Sequence, residues 1–306
     1  MKKKNKKFDT AAIIGPSGIG SVHLREIIKT GTQNIALVGR KFKRERIDIL
    51  SKNNKEIKFY NLKSIKEIKK LKPNVISVCS PTKYHYDHIS YIIKFCKSLI
   101  IEKPIFWFKH KKKSNYEIAK NLLNKKSNRI FVNLPMISLA KQIKYKNNLV
   151  KIYKLNFNYF TKGKNNFENI PIDLLPHALS FLFTLNSNTL KNFKILSITK
   201  NKQFWSCKII VNECLCKFVF KQDPNRQDSR LSFKINNDTY LRKQFIKNDI
   251  YLIKILKNKK ELINIKNPMT DYLNFILKNM NKKDILKKNN DITLNLIKIM
   301  EKLINY

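Results

Sequence analysis

The first 133 residues alternate short apolar runs with amphipathic stretches of helical length. Strands that are separated by helical segments cannot pair through tight hairpins, so this pattern predicts a parallel sheet with right-handed helical crossovers. Residues 1–133 are therefore expected to form a doubly wound α/β domain. The apolar runs lie at 10–15, 34–38, 75–79, 98–101 and 130–132, with a shorter candidate strand at 58–60.

The pattern changes near Leu134. Apolar segments now follow one another with turns between them, which indicates an antiparallel sheet accompanied by helices. Residues 134–306 are therefore predicted to form an α+β domain built on an open, mostly antiparallel sheet. Its expected elements are a helix at 174–185, consecutive strands over 193–256, and helices at 269–280 and 292–304.

The net charge of the chain changes the list of partners to consider. The 306 residues contain 64 Lys and Arg against 21 Asp and Glu, a formal net charge of +43, and such a balance raises nucleic acid or an anionic membrane as partners. The lysines are spread from Lys2 to Lys302 without forming a stripe. We interpret them as a compositional bias and expect no nucleic-acid partner.

The cysteines and the apolar segments indicate a compartment. The five cysteines form no CxxC pair, and Cys214 and Cys216 alternate along a predicted strand, so buried thiols are favoured over a disulfide framework or a metal site. The apolar stretch at 11–14 is too short for a signal peptide, and no run approaches the ~18 apolar residues of a membrane span. A cytoplasmic protein that binds no membrane and no metal is expected.

A glycine-rich turn follows the first predicted strand and precedes a helical pattern. Glycines there let the backbone approach a pyrophosphate, and the helix N-terminus offers free N–H groups. Compared with G-x-G-x-x-G, the middle glycine is Ser17, whose hydroxyl adds a donor. The turn therefore predicts a dinucleotide site. Its residues are Gly15, Pro16, Ser17, Gly18, Ile19 and Gly20.

The residue after the second predicted strand bears on the choice of cofactor. An acidic side chain would hold the ribose 2′-OH of NAD at this place, but the chain has Gly39-Arg40. A guanidinium binds a phosphate with two hydrogen bonds. Arg40 therefore favours NADP, with NAD as the alternative.

The next two strand ends carry further candidate residues. In an open parallel sheet the ligand lies beyond the carboxyl ends of the strands, so both segments are expected to line the same crevice as the glycine turn. These residues are Ser80, Pro81, Thr82 and His85 after the third run, and Glu102, Lys103 and Pro104 after the fourth.

Together the motifs resemble those of the Gfo/Idh/MocA oxidoreductase family. The resemblance implies that the first domain binds NAD or NADP, with Lys103 at the nicotinamide and Asp173 and His177 as the substrate-binding and proton-transfer pair. It also implies a small-molecule substrate with a carbonyl or alcohol group, such as a sugar, nucleotide-sugar or inositol. The motifs are Gly15-x-Ser17-x-x-Gly20-x-x-His23, Ser80-Pro81-x-x-x-His85, Glu102-Lys103-Pro104 and Asp173-x-x-x-His177.

The spacing of Asp173 and His177 supports their pairing independently of the resemblance. Residues at i and i+4 share one face of a helix, where a carboxylate can orient an imidazole or raise its pKa. A histidine that titrates near neutrality can move the proton of an alcohol while hydride is transferred. The chain departs from the family at Ser17, at Leu175 and at Ser180, which bears on substrate handling more than on fold.

Two other functions compete with this interpretation. Tyr116-x-x-x-Lys120 has the spacing of the short-chain dehydrogenases, but it lies in the first half of a chain that still has a second domain to build. A cofactor-binding scaffold or a nucleic-acid-binding protein without catalysis is the alternative from another class.

The second domain also predicts an assembly. A sheet has two faces, and the helices expected in this domain suffice to cover only one of them. The other face is expected to be buried by a second copy of the chain, which gives a homodimer or homotetramer.

Overall fold

A computed structural model describes residues 8–39, 44–96, 98–109, 113–124, 129–187, 189–247 and 250–306. Its contacts divide the chain into two compact units. The first comprises residues 1–113, 117–133 and 273–290, and the second comprises 114–116, 134–272 and 291–306. The change after Asn133 coincides with the change of sequence pattern, whereas 273–290 joins the first unit. The roles assigned to the two domains stay predictions.

The first unit contains a six-stranded sheet in which every neighbouring pair is parallel. The strand order is β3-β2-β1-β4-β5-β6, as expected for a doubly wound domain. The central strands are buried on both faces, which explains why they read as continuous apolar runs. The strands are β1 (Thr10–Ile14), β2 (Asn34–Val38), β3 (Lys58–Leu62), β4 (Val75–Val78), β5 (Ser98–Glu102) and β6 (Arg129–Asn133).

Helical segments connect these strands. They are α1 (Ile19–Ile28), α2 (Arg44–Asn53), α3 (His85–Ile92) and α4 (Asn115–Leu123), with two 3₁₀ turns at Ile65–Leu71 and Thr82–Tyr84. The doubly wound fold predicted for this part of the chain is therefore confirmed.

The second unit contains an eight-stranded sheet of order β14-β13-β12-β11-β7-β10-β9-β8. Only β7 and β10 pair in parallel; the other neighbouring pairs are antiparallel. The mostly antiparallel sheet predicted here is therefore confirmed. The strands are β7 (Lys154–Thr161), β8 (Phe193–Asn201), β9 (Phe204–Val211), β10 (Cys214–Gln222), β11 (Arg230–Ile235), β12 (Asp238–Lys247), β13 (Ile250–Lys257) and β14 (Glu261–Ile265).

The remaining helices are α5 (Met136–Lys146), α6 (Ile170–Leu185), α7 (Pro268–Asn279) and α8 (Lys283–Ile304). Helix α5 and the strands β7 and β14 are additional to the elements predicted from the sequence. Helix α8 begins nine residues earlier than predicted, because its first turns are polar and lack an apolar stripe. No helix among the described residues combines the length and apolar character that crossing a bilayer requires.

The second sheet has a buried inner face and a more exposed outer face. On β7, Leu155 and Phe157 are fully buried, whereas Asn156 and Asn158, which alternate with them, are half-buried. Helix α6 packs on the inner face, with the rings of Phe157 and Phe181 5.6 Å apart between centroids. Cys214 and Cys216 lie on this face as predicted, both buried, with sulfurs 3.8 Å apart.

Candidate functional site

The strand order of the first unit reverses between β1 and β4, and the glycine turn lies at this switch point. In such sheets the crevice beyond the carboxyl ends of the two strands is the usual ligand site. A Cβ on Gly20 would collide with the carbonyl oxygen of Gly15, so the helix approaches the strand closely only because this residue is glycine. The Gly15 N–H donates to the carbonyl of Val38 at 2.8 Å, which ties the turn to β2.

The N-terminus of α1 faces open space. Gly18 is its N-cap, has a φ of 56°, and would meet nothing within 4 Å if it carried a Cβ. A positive φ favours glycine over other residues. The first N–H groups of the helix, beginning at Ile19, therefore lie beside a turn that leaves room for an anion, and the helix dipole favours negative charge there.

A cavity of about 650 Å³ opens at the switch point. Of the predicted cofactor residues, it brings together Gly15, Ser17, Ser80 and Pro81. This volume and its mainly apolar lining suit part of a dinucleotide. The lining residues are Ile14, Gly15, Pro16, Ser17, Val38, Gly39, Lys63, Ser64, Ile65, Cys79, Ser80, Pro81, Tyr84 and His88.

The cavity also has walls that the sequence analysis did not assign. One is Lys63, Ser64 and Ile65, which follow β3. These residues could have been predicted from the sequence, because they follow a predicted parallel strand and the ends of parallel strands meet at one edge of the sheet. The other is Tyr84 with His88, whose rings stack at 6.0 Å.

His88 is one of the residues that line the cavity. Its Nδ1 is 3.0 Å from the hydroxyl of Ser80. Burial, followed by the charge of His85, lowers the pKa of His88 below its ordinary value against the opposing effect of Asp87. A neutral ring there suits the apolar lining of the cavity.

His85 is buried and links two of the predicted motifs through its ring nitrogens. Its Nε2 is 2.6 Å from the carbonyl oxygen of Ser80, and its Nδ1 is 3.0 Å from that of Pro104. Burial lowers the pKa of His85, although the two carbonyls and Glu102 act in the opposite direction. A neutral imidazole donates from one nitrogen only, so the neutral ring satisfies one of the two carbonyls.

Glu102 lies in a buried polar network at the ends of β5 and β6. One of its carboxylate oxygens is 2.8 Å from Nε2 of His23 and accepts from Nδ2 of Asn133 at 2.6 Å. The Nδ1 of His23 is 2.8 Å from the hydroxyl of Ser77. All four side chains are buried, and we refer to them as the Glu102 network.

The network decides the ionisation of Glu102. Burial by itself raises the pKa of this carboxyl, but the hydrogen bond to His23, the bond from Asn133 and the charge of Lys103 outweigh burial and lower the pKa. Glu102 is therefore a carboxylate at neutral pH. Lys103, which follows it, is half-buried, and the Lys103–Pro104 peptide bond is cis.

The predicted Asp173 lies in the first turn of α6, within the second unit. Its Oδ2 accepts from Nε2 of Gln222, at the end of β10, at 2.9 Å. The Oε1 of Gln222 accepts from the backbone N–H of Asn165 at 3.2 Å. A Cβ on Gly163 would collide with this Oε1, so the loop after β7 closes tightly around the buried Gln222 side chain.

The predicted His177 lies one turn further along α6. It is buried, and its ring meets Tyr159 of β7 edge-on, with centroids 5.4 Å apart. The guanidinium carbon of Arg242 lies 5.4 Å from the centroid of the same tyrosine ring. Because α6 is otherwise almost entirely apolar and buried, two ionisable side chains on it are conspicuous.

The other predicted residues fall into three groups. Gly18, Ile19, Gly20, Thr82, His85, Glu102 and Lys103 belong to the first unit without lining the cavity. Arg40 lies outside the described residues. Tyr116 and Lys120, the competing pair, lie on α4, where the ammonium nitrogen of Lys298 sits 5.7 Å from the Tyr116 ring centroid.

Solved structures share the fold over nearly the whole chain. A dehydrogenase (MviM) from Clostridium difficile is 15% identical with a TM-score of 0.68, covering 97% of this chain and 98% of that chain. UDP-N-acetylglucosamine 3-dehydrogenase from Acidithiobacillus ferrooxidans is 12% identical with a TM-score of 0.64, at 97% and 98% coverage. At such identities the likeness establishes the fold alone.

A third structure is described with bound molecules. The WlbA dehydrogenase from Thermus thermophilus, in complex with NAD and alpha-ketoglutarate, is 13% identical with a TM-score of 0.66, at 96% and 94% coverage. A comparison with curated proteins finds no match.

The sequence of the first unit carries the family assignment. Residues 10–134 match the model of the Gfo/Idh/MocA oxidoreductase family, described as an NAD-binding Rossmann fold. The matched segment contains the glycine turn, the cavity and the Glu102 network. The match covers residues 10–134 of the 306, so it assigns this segment to the NAD-binding Rossmann fold of that oxidoreductase family.

Proposed function

We propose that this protein transfers a hydride between a nicotinamide cofactor and the hydroxyl or carbonyl group of a sugar, nucleotide-sugar, inositol or similar metabolite. The observation that carries the proposal is the cavity at the switch point, bounded by the glycine turn and by Ser80 and Pro81. The family of residues 10–134 supports it, as does the name of the Acidithiobacillus enzyme, a nucleotide-sugar dehydrogenase.

The residues of the cavity fit a dinucleotide. The N-terminus of α1, beginning at the N–H of Ile19, would hold the diphosphate, because Gly18 leaves the space before it open. The next two N–H groups donate to the carbonyls of Ser17 and Gly18. Lys63 and Ser64, which line the same cavity as the end of β2, would flank the adenosine half. The bound nicotinamide supplies the hydride or accepts it.

Three side chains are proposed for the chemistry. Lys103 would stabilise negative charge on the substrate oxygen. Its own charge acts on the carboxylate of the preceding Glu102. His177 would take up or return the proton of that oxygen. Asp173 would bind a substrate hydroxyl or orient the imidazole of His177, one helical turn away.

The preference for NADP rests on Arg40 and the absence of an acid beside it in the sequence. We expect NADPH to bind at least about tenfold more tightly than NADH, which corresponds to ~1.4 kcal/mol. Fluorescence titration of both cofactors measures this ratio. Arg40→Asp should narrow or reverse it, and equal affinities in the native protein would contradict the preference.

Activity itself is tested by NAD(P)H oxidation with a panel of carbonyl sugars. Cofactor-dependent turnover that disappears in Lys103→Ala supports the proposal. A protein that binds neither NADH nor NADPH would contradict it.

A homodimer or homotetramer remains part of the proposal. The outer face of the second sheet would supply the interface, but Lys208 and Lys217 are register partners there and Asn156 separates them from Lys234. Stacking two such faces brings like charges together, and salt screens them. We therefore expect light scattering to report an oligomer that strengthens as salt rises; a monomer at micromolar concentration would contradict it.

The same three lysines favour one second candidate, the binding of nucleic acid without catalysis. Such binding weakens steeply with salt and needs no cofactor. Retention on a DNA column that is lost as salt rises, in a protein without cofactor-dependent turnover, would support this candidate over the first.

A further inference from the structure

Arg242 adds a cation to the polar end of the second sheet's inner face. It lies on β12 opposite the fully buried Ile255 of β13, so it shares the inner face with that residue. The side chain is half-buried, and Nη2 lies 3.5 Å from the carbonyl oxygen of Ser229. Its guanidinium lies against Tyr159, whose ring meets His177.

The packing of α6 on β7 gives this end of the face its polarity. Successive turns of the helix meet alternate residues of the strand, those that face inward. Phe181 packs on Phe157, and His177 meets Tyr159. One turn earlier, Asp173 binds Gln222, the register partner of Thr161. The inner face thus changes from apolar to polar toward Asp173 and His177, the proposed substrate residues.

Arg242 lies in the same cross-strand row as the Tyr159 ring. Leu231 of β11 is the register partner of Tyr159. The register of β11 and β12 begins with Ser232 opposite Leu241, and one further step along both strands places Arg242 beside Leu231. The cation and the proposed proton-transfer residue therefore contact the same aromatic ring from different elements. A substrate held at His177 would have Arg242 within reach of a neighbouring substituent.

The choice of arginine here is informative in this chain. Only 8 of its 64 Lys and Arg residues are arginine, so the compositional bias by itself would place lysine at most basic positions. A guanidinium differs from an ammonium in its planar fork, which binds a carboxylate or phosphate with two hydrogen bonds and stacks on aromatic rings. The guanidinium of Arg242 lies over the Tyr159 ring, with its central carbon 5.4 Å from the ring centroid.

We propose that Arg242 binds an acidic group of the substrate, a carboxylate or a phosphate ester, so that the enzyme acts on an acidic sugar derivative rather than on a neutral sugar. This inference rests on the proposed function and names its substrate class. A positive side chain that is half-removed from water discriminates strongly between a charged and an uncharged ligand, because water screens the interaction less there.

The test uses the protein saturated with cofactor, so that anions are kept out of the dinucleotide cavity. Glucose, glucuronate and glucose 6-phosphate share one ring and differ in the acidic group. Calorimetric titration of each should give at least about tenfold tighter binding of one or both acids than of glucose, and the two acids distinguish carboxylate from phosphate.

Variants assign the effect to Arg242. Arg242→Met should abolish the preference for the acid, and Arg242→Lys should retain part of it. The matched control is Arg230→Met, because Arg230 is exposed and pairs with Phe160, away from the inner face. It should leave the preference unchanged and thereby exclude a general effect of the net charge.

Three outcomes overturn the inference. These are equal binding of glucose and both acids, a preference that survives in Arg242→Met, and no binding of either acid to the folded protein with its cofactor. The cofactor titration described above tests the proposed function separately. If no nicotinamide cofactor binds, the proposed function fails. If cofactor binds and neutral sugars are turned over as well as their acidic counterparts by the native protein, only the substrate class fails.

Discussion

The two units hold their candidate carboxylates in contrasting ways. Glu102 is buried and bound by His23 and Asn133, whereas Asp173 is half-exposed and held by Gln222. A buried charge is tolerated only with a complete set of partners, but a half-exposed one keeps water as an alternative partner. The contrast favours a fixed geometric role for Glu102, whereas a half-exposed Asp173 fits its proposed contact with a substrate.

The largest expected effect concerns His177 and Lys103, the two residues proposed to act on the substrate oxygen. His177→Ala should lower kcat by ~10²- to 10⁴-fold, the usual contribution of general acid–base catalysis. Lys103→Ala should lower it at least as much, because it also removes positive charge beside the developing oxyanion. Cofactor affinity should remain nearly unchanged in both.

Melting temperature and kcat measured on the same variants separate catalysis from stability. If His177 only fills the core, alanine would reduce the melting temperature and leave turnover of the folded fraction unchanged. Unchanged kcat in folded His177→Ala would therefore remove this residue from the mechanism.

The second prediction compares the partners of the two carboxylates directly. His23→Leu leaves Glu102 buried without one partner and should cost roughly 3 kcal/mol of unfolding free energy. Gln222→Leu removes a partner from the half-exposed Asp173 and should cost only about 1 kcal/mol. Urea unfolding of both variants measures the difference, and equal losses would refute the contrast.

The third prediction asks which unit handles the substrate. Gln222→Leu and Asp173→Asn should each raise KM for the substrate several-fold without changing cofactor affinity, since both alter only the second unit. Their effect on kcat should be smaller than that of His177→Ala. A shift in the cofactor Kd of either variant would instead assign Asp173 to the cofactor.

The sequence predicted the first unit more completely than the second because its signals are local. Apolar runs ending at the glycine turn, at Ser80 and at Glu102 are readable along the chain, and parallel strand ends meet by geometry. The same rule would have found Lys63 after β3. The alternation in β7, with Leu155 and Phe157 separated by asparagine, was also readable as a strand.

The partners in the second unit could not be predicted in this way. Gln222 meets Asp173, and Arg242 meets Tyr159, only through the register of four strands and the placement of α6. No short spacing in the sequence encodes these contacts. Asp173 and Gln222 are 49 residues apart, and Tyr159 and Arg242 are 83 residues apart. The opening of α8 was missed for a different reason, because its polar first turns carry no apolar stripe.

The smallest expected effect is the pH dependence of the first unit. Burial lowers the pKa of His85 and His88 in the folded protein, so below their ordinary pKa near ~6.5 the unfolded chain binds more protons than the folded one. Stability should therefore fall as the pH drops from about 7 through the lowered pKa values. The lowered pKa of Glu102 affects stability in a separate pH range, below the ordinary glutamate pKa of 4.5.

Melting curves at pH 7.5, 6.5 and 5.5 test this sign. His85→Gln keeps one donor for the two carbonyls of Ser80 and Pro104 but cannot take up a proton, so its melting temperature should change less over this range than that of the native protein. His88→Gln is the matched control. The His88 ring is only half-buried, so burial affects its pKa less than that of His85, and this variant should reduce the pH dependence of the melting temperature less than His85→Gln does. A native melting temperature that rises toward pH 5.5 would contradict the assignment of both rings as neutral.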